Sequence, residues 1–153
     1  MPPDINPAEG APINTMVVNR PVKIILADDN ESTLAAITRF LEDGHFRVVG
    51  AVRDGAALVS QIAGYAPDVA VVDIFMPEVN GLDATAQLKK IDDTIKVIIL
   101  TAHREPEFVR AAFAAGACGY VLKHRLVADL PNAIELAIQG ERFLSPTLTI
   151  SSD

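Results

Sequence analysis

Disulfides, a secretion signal and a membrane span are all missing from this sequence of 153 residues. The single cysteine, Cys118, has no partner for an internal disulfide, and its run of small neighbours is typical of a buried structural thiol. The N-terminus lacks the basic start and apolar stretch of a secretory signal, and no apolar run approaches the ~18 residues of a membrane span. We therefore expect a cytoplasmic protein that makes no contact with a membrane.

Positive charge is also scarce, because 13 Lys and Arg residues stand against 20 Asp and Glu residues and give a formal net charge of −7. The basic residues are scattered and form no stripe, so the chain lacks the electrostatic pattern of a nucleic-acid-binding surface. Apolar residues make up 50% of the chain, enough at this length for one domain with a substantial core. The sequence predicts one acidic domain that binds no nucleic acid itself.

Short β-branched apolar segments alternate with segments of helical periodicity from residue 21 onward. The predicted strands span residues 22–27, 46–52, 69–72, 95–100 and 120–122, and three intervening helices are expected to end at Gly44, Gly64 and Gly116. Strands that are apolar on both faces and joined by helix-length crossovers form a parallel sheet with helices on both faces. The sequence thus predicts an α/β, doubly wound fold with a five-stranded sheet.

The two ends of the chain differ from this alternating pattern. Residues 1–20 contain four prolines and no periodic apolar pattern, which is typical of a flexible leader. The predicted domain spans residues 21–141, and residues 142–153 are interpreted as the start of a linker or tail.

Polar residues stand at the ends of four predicted strands. Asp28 and Asp29 follow the first strand, Asp73 the third, Thr101 the fourth and Lys123 the fifth. The carboxyl ends of parallel strands share one edge of a sheet, and ligands bind there where the strand order reverses. If the order is 2-1-3-4-5, that point lies between the acid pair and Asp73. We therefore expect one compact polar site.

The residue types at this edge suit a phosphate and a metal ion. Three carboxylates in close contact repel one another by roughly 4 kcal/mol per pair at an effective dielectric constant near 20, unless a positive charge lies among them. Oxygen ligands without a histidine or cysteine pair nearby favour Mg²⁺, which also accepts phosphate oxygens. Lys123 offers a positive charge and Thr101 a hydroxyl donor that would hold a phosphoryl group.

Four short segments stand in order on successive predicted strands: Asp28-Asp29, Asp73-Ile74-Phe75-Met76-Pro77 followed by Gly81, Thr101-Ala102, and Tyr120-Val121-Leu122-Lys123. Together they resemble the signature of the receiver domains of bacterial two-component response regulators, over about residues 22–141. The resemblance implies a flavodoxin-like (CheY-like) fold with strand order 2-1-3-4-5. It also implies a phosphoprotein that receives its phosphoryl group from a sensor histidine kinase or a phosphotransfer protein.

The family's roles, carried over by position, place the phosphoacceptor and the Mg²⁺ ligands on the acidic residues. Asp73 would be the phosphoacceptor and also a ligand of Mg²⁺. Asp29 would bind Mg²⁺ directly, Asp28 through a water molecule, and Phe75 through its backbone carbonyl.

The resemblance also implies that Thr101 and Lys123 bind the acyl phosphate and that Tyr120 is a switch. In this role the Tyr120 ring rotates when Thr101 moves. A tyrosine on a strand is otherwise a core aromatic with a hydrated hydroxyl, and this interpretation stays open.

The resemblance implies that two side chains set the lifetime of the phosphoryl group. Phe75 and His103 lie two residues after Asp73 and Thr101, where they overlook the in-line approach of a hydrolytic water. A phenylalanine covers area and cannot orient water, so we expect slow self-dephosphorylation with His103 as a solvated loop residue. The chain is thus interpreted as a phosphoacceptor with self-catalysed phosphotransfer, and not as an enzyme.

The end of the chain resembles one subclass of receivers. The segment Gly140–Pro146 is similar to the receiver-to-linker junction of NarL/FixJ-type transcription regulators, which have LuxR-type output domains. The resemblance implies control of transcription through a DNA-binding domain that this chain does not contain. It also implies phosphorylation-promoted homodimers, for which Ala35, Ile37, Ala133 and Ala137 are expected to offer solvent-facing apolar surface.

Three other functions share some of these sequence features. A haloacid-dehalogenase-type phosphatase needs an acid two residues after its nucleophile, where this chain has Phe75. A flavodoxin-like cofactor carrier needs a phosphate-binding loop after the first strand, where Asp28 and Asp29 would repel phosphate. A receiver-like protein-binding module that acts without phosphorylation remains the alternative.

Overall fold

The computed structural model describes residues 20–146 and residue 148. Its strands are β1 (Lys23–Ala27), β2 (Arg47–Val52), β3 (Val69–Val72), β4 (Lys96–Thr101), β5 (Gly119–Leu122) and β6 (Phe143–Leu144). Its helices are α1 (Glu31–Asp43), α2 (Gly55–Tyr65), α3 (Gly81–Ile91), α4 (Pro106–Ala115) and α5 (Leu126–Ile138), with a short 3-10 helix at Lys123–Arg125. Among these residues, no helix combines the length and the apolar character that a membrane span requires.

The strands form one parallel sheet with the order β2-β1-β3-β4-β5-β6. The predicted order of the first five strands is confirmed, and the structure corrects their number from five to six. The added strand β6 pairs with β5 so that Phe143 lies opposite Gly119 and Leu144 opposite Tyr120. A two-residue strand is too short to show the alternation by which strands are recognised in a sequence. The sheet therefore extends beyond residue 141, into the segment that the sequence assigns to a linker or tail.

Each face of the sheet is covered by helices over its own hydrophobic cluster. Successive residues of β1 alternate between the faces, since Ile25 and Ala27 belong to one cluster and Ile24 and Leu26 to the other. The first cluster includes side chains from α2, α3 and α4, among them Leu58, Ile62, Leu88 and Val109. The second includes side chains from α1 and α5, among them Leu34, Leu41, Leu130 and Ile134. The predicted doubly wound α/β architecture is confirmed.

Three helices begin at a capping side chain close to the carboxyl ends of the strands. The side-chain oxygens of Asn30, Asp54 and Asn80 accept the backbone N–H groups of Thr33, Ala57 and Asp83 at 2.9, 2.7 and 2.9 Å. Such a cap stabilises a helix by about 1 kcal/mol. The caps therefore fix the N-termini of α1, α2 and α3 at the edge of the sheet that carries the polar residues.

The helix ends follow the glycine pattern at only one of three positions. Gly116 ends α4 with φ 112°, as predicted. Gly44 ends α1 with φ −88°, and the left-handed residue there is His45, with φ 73°. Gly64 lies inside α2, which instead ends at the left-handed Ala66.

Three of the four residues that were expected to offer apolar surface for dimerisation are buried. Ile37, Ala133 and Ala137 are buried in the second hydrophobic cluster, and only Ala35 faces solvent. The helical periodicity places the first three on the core side because both helices cover the same face of the sheet. The expectation of solvent exposure was therefore wrong for these three residues.

Candidate functional site

Three aspartates form an acidic cluster at the carboxyl ends of the neighbouring strands β1 and β3. Asp28 and Asp29 follow β1 and Asp73 follows β3, and one carboxylate oxygen of each lies within 4.8 Å of the others. Asp28 and Asp73 are buried, with 3% and 8% of their surface exposed, whereas Asp29 faces solvent. The predicted compact acidic site is present at the point where the strand order reverses.

Lys123 extends from the end of β5 into this cluster. Its Nζ lies 2.7 Å from Oδ2 of Asp28 and 2.9 Å from Oδ2 of Asp73. Burial opposes the charge on Lys123, but the hydrogen bonds to Asp28 and Asp73 outweigh that cost, so the pKa of its ammonium lies above its usual value. Lys123 is therefore a fixed positive charge shared by two carboxylates.

The remaining carboxylate oxygens of the two buried aspartates are held by the backbone. Oδ1 of Asp28 accepts the N–H of Asn30 at 2.9 Å, and Oδ1 of Asp73 accepts the N–H of Ile74 at 2.7 Å. Three carboxylates and one ammonium leave this cluster with a formal surplus of two negative charges. Oxygen donors with surplus negative charge are the donor set that suits a hard divalent cation such as Mg²⁺.

Thr101 ends β4 at the same edge of the sheet. It is completely buried, and it pairs across the sheet with Leu122, the residue before Lys123. Its hydroxyl oxygen accepts the N–H of His103 at 3.4 Å, which is long for a hydrogen bond. Thr101 thus lies on the strand next to Lys123, and its hydroxyl is only weakly engaged by the loop after β4.

Tyr120 lies on β5, three residues before Lys123, and is completely buried. Its hydroxyl donates a hydrogen bond of 2.6 Å to the backbone carbonyl of His103. Burial, with a smaller effect of Glu105, raises the pKa of Tyr120 well above its usual value. The ring is thus a core aromatic whose hydroxyl contacts the loop after β4, and the switch role of Tyr120 stays a prediction.

Three aromatic rings, from the loop after β3, the loop after β4 and the start of α4, lie together, and we call them the aromatic trio. Phe75 is 48% exposed. The centroid of its ring lies 4.5 Å from that of the His103 ring and 5.4 Å from that of the Phe108 ring. His103 and Phe108 lie 5.7 Å apart. The sequence placed Phe75 and His103 over the site, but it gave no signal for Phe108, which comes from the first turn of α4. The role of the Phe75 carbonyl as a metal ligand stays a prediction.

The loop between β3 and α3 is closed by Gly81. Its N–H donates to the carbonyl of Ile74 at 2.6 Å. A Cβ at this position would lie only 1.9 Å from the backbone oxygen of Asp73, closer than any real contact. The absence of a side chain at Gly81 therefore lets α3 start against the backbone that carries Asp73.

Comparison with known proteins gives matches along most of the chain. The family described as the response regulator receiver domain matches residues 24–135. The response regulator GacA of Pseudomonas syringae pv. syringae is 33% identical over 128 residues, which are 83% of this chain and 60% of that protein. The transcriptional regulatory protein DegU of Brevibacillus brevis is 32% identical over 138 residues, 90% of this chain and 58% of that protein. The chain thus spans about 60% of the length of these curated relatives.

Solved structures give the same result. A LuxR-family two-component response regulator from Aurantimonas sp. superposes with a TM-score of 0.80 at 31% identity, over 84% of this chain and 93% of that one. The receiver domain of the putative response regulator NarL of Mycobacterium tuberculosis gives a TM-score of 0.75 at 30% identity, over 80% of this chain and 99% of that one. Sequence, fold and site agree that this chain belongs to the response regulator receiver domain family of two-component systems.

Proposed function

We propose that Asp73 accepts a phosphoryl group from a partner histidine kinase or phosphotransfer protein in a Mg²⁺-dependent reaction in the cytoplasm. The observation that carries this proposal is the position of Lys123, whose ammonium contacts Asp73 at 2.9 Å within a cluster of three carboxylates. A lysine at that distance can form an ion pair with the carboxylate before the transfer and with the attached phosphoryl group after it. Family membership supports the same reaction.

In the proposed reaction, a carboxylate oxygen of Asp73 attacks the phosphorus of a phosphohistidine in line with its P–N bond. The new O–P bond forms as the P–N bond breaks, and the bonding pair stays on the donor imidazole, which then takes a proton. Lys123 neutralises charge on the transferring oxygens from its position between Asp28 and Asp73. The hydroxyl of Thr101 donates to a phosphoryl oxygen, because its present contact with the His103 N–H leaves its proton free.

The ligands proposed for Mg²⁺ are the carboxylates of Asp28, Asp29 and Asp73 and the backbone carbonyl of Phe75. When bound, the cation neutralises charge on the cluster and on the transferring phosphoryl group. Asp29 suits direct contact because it faces solvent. Contact of Asp28 through a water molecule follows from the family resemblance. The formal surplus of two negative charges supports a divalent ion at this position.

The proposed output is a conformational switch that controls dimerisation and transcription. A phosphoryl group that draws Thr101 toward it pulls on the loop after β4, which Tyr120 contacts through the His103 carbonyl. DegU of Brevibacillus brevis and YvfU of Bacillus subtilis, two relatives of this chain, are described as transcriptional regulatory proteins, and a structure of the neighbour RcsB contains two dimers bound to DNA. We infer that this chain controls transcription through a DNA-binding domain outside it, and that phosphorylation promotes its homodimers.

The alternative is a receiver-like module that binds proteins without being phosphorylated. Acetyl phosphate supplies a small phosphodonor that needs no kinase, so it separates the two functions. We expect the protein to gain one phosphoryl group per chain in Mg²⁺, and none in excess chelator, as measured by intact mass. Equal mass before and after treatment in Mg²⁺ would favour the alternative.

A further inference from the structure

A polar network links the segment after β6 to the end of β5, the strand that Lys123 follows. Ser145 follows β6 and is completely buried. Its hydroxyl donates to Oδ2 of Asp129 at 2.8 Å and accepts the backbone N–H of Leu122 at 3.1 Å. The side chain of Ser145 therefore joins β5 to α5 from a segment outside both.

Asp129 lies on α5 and is 4% exposed. Arg125 donates to both of its oxygens, with Nε at 2.7 Å from Oδ2 and Nη2 at 3.0 Å from Oδ1. These hydrogen bonds hold the pKa of Asp129 below its ordinary value, so its carboxylate is charged at neutral pH. Each oxygen of Asp129 thus has a donor, and the network is a complete one.

The network fixes the backbone on both sides of Lys123. Leu122 immediately precedes Lys123, and its N–H is bound by Ser145. Arg125 lies two residues after Lys123, in the 3-10 helix that begins at Lys123, and its side chain is bound by Asp129. The position of the Lys123 ammonium between Asp28 and Asp73 depends on this backbone.

We propose that Ser145 and Asp129 are positioning residues for Lys123, and that the segment after β6 thereby controls how well the site accepts a phosphoryl group. This inference rests on the proposed phosphorylation of Asp73. Ser145 belongs to the segment that follows β6, so a displacement of this segment withdraws the hydroxyl from Leu122 and loosens Lys123. Through this contact, phosphorylation of Asp73 becomes sensitive to the position of the segment that follows β6.

Simple attachment of β6 does not account for these polar groups. The backbone already attaches the segment, because the N–H of Phe143 donates to the Cys118 carbonyl and the N–H of Ser145 to the Tyr120 carbonyl, both at 3.0 Å. The pair of Asp129 with Arg125 adds little to this attachment, because the Arg125 side chain is 31% exposed and ion pairs are often replaced by apolar side chains at no cost in stability. In this chain we assign to the network the role of fixing β5 relative to α5, a role that buried polar groups have in some proteins.

The test compares initial rates of labelling by acetyl phosphate in Mg²⁺ for the full chain and its variants. Ser145→Ala leaves the Leu122 N–H without its acceptor, and Asp129→Asn removes the charge that binds Arg125. Both should slow labelling by about threefold to tenfold, less than the ~10²-fold cost of a displacement of a full ångström. Arg125→Lys, which keeps the charge but loses the two-point contact, is the milder variant if the others fold poorly.

The matched control is Ile134→Val, a buried change on the same helix as Asp129 that lies outside the polar network. We expect Ile134→Val to lower the melting temperature, because it removes a buried methylene, without a change in the network around Lys123. Its labelling rate therefore shows the effect of lower stability alone, and the network variants are compared with it at matched melting temperature. The double variant of Ser145 and Asp129 should be no slower than the slower single variant, because both changes break one network. A structural role in stability alone would not produce this non-additive effect on the rate.

The outcomes separate the two hypotheses. Wild type that takes up no label contradicts the proposed function and this role together. Wild type that is labelled, with Ser145→Ala as fast as Ile134→Val, contradicts the positioning role alone. Losses in the two single variants that multiply in the double variant also contradict it.

Discussion

Lys123 holds two carboxylates that would otherwise repel each other. At about 4 Å, one pair of unit charges interacts by roughly 1 kcal/mol in water and by roughly 4 kcal/mol at an effective dielectric constant of 20. Asp73 takes part in two repulsive pairs, with Asp28 and Asp29, and in one attractive pair, with Lys123. Lys123 contacts Asp73 at 2.9 Å, whereas the carboxylate oxygens lie within 4.8 Å of one another, so the one attraction offsets most of the two repulsions. Without a metal ion, the Asp73 charge is therefore left with a small net repulsion.

Asp73→Asn should therefore stabilise the metal-free protein. The change relieves two repulsions at the loss of one attraction, and after screening we expect a gain of about 1 kcal/mol in the free energy of unfolding. Thermal unfolding in excess chelator measures the gain, with Asp93→Asn on an exposed turn as the control for removal of a distant charge. A melting temperature equal to or below that of wild type would contradict the charge surplus.

Phe75 should slow hydrolysis of the phosphorylated protein. Phe75 lies two residues after Asp73, and we expect an asparagine there to uncover the approach to phosphorus and to orient a water. Phe75→Asn should therefore shorten the lifetime of the phosphoprotein after removal of the donor. His103→Ala leaves the contact of 5.4 Å between Phe75 and Phe108 in place, so its lifetime should change little. Decay of Phe75→Asn no faster than wild type would show that this ring does not guard the site.

Residues at strand ends were predictable because a parallel sheet brings its carboxyl ends together whatever the loop conformations are. Asp28, Asp73 and Lys123 were found in this way. Contacts that depend on side-chain direction were not predictable. Phe108 joins the aromatic trio from a helix whose start gives no sign of what it packs against, and the Ser145 hydroxyl reaches Leu122 across 23 residues of sequence.

At the scale of elements, the start of α3 is fitted closely against the end of β3. Gly81→Ala would place a Cβ against the backbone oxygen of Asp73, so we expect a loss of about 1–3 kcal/mol in stability and slower labelling of Asp73. Gly64→Ala is the matched control, because a Cβ there meets nothing within 4 Å and should stabilise α2 by up to about 1 kcal/mol. Urea unfolding of both variants gives the comparison, and a neutral Gly81→Ala would contradict the close fit.

The elements themselves were largely predictable, because apolar runs and helical periodicity survive in the sequence. The five main strands lie within one residue of their predicted ends, since burial on both faces demands apolar residues along the whole strand. Strand β6 was not predictable, because two residues carry no periodic signal. Helix ends were less predictable for a physical reason: the left-handed conformation expected of Gly44 and Gly64 is adopted by His45 and Ala66, one and two residues later.

At the scale of the whole molecule, the matched part of the chain covers about 60% of the length of the curated relatives. Its exposed large apolar residues include Val127, 71% exposed, and Ile138, both on α5. Phosphorylation should strengthen self-association of this domain, because the proposed switch acts on dimer formation. Sedimentation of beryllofluoride-treated and untreated protein is the test, and identical weight-average masses across concentration would count against it.

The position of the label is the most direct test of the account. After treatment with acetyl phosphate in Mg²⁺, peptide mass mapping should locate one phosphoryl group on the peptide that contains Asp73. Asp73→Asn should take up none, while the control Asp93→Asn should be labelled like wild type. Label retained in Asp73→Asn, or found on another residue of the wild type, would contradict the assignment of Asp73 as the phosphoacceptor.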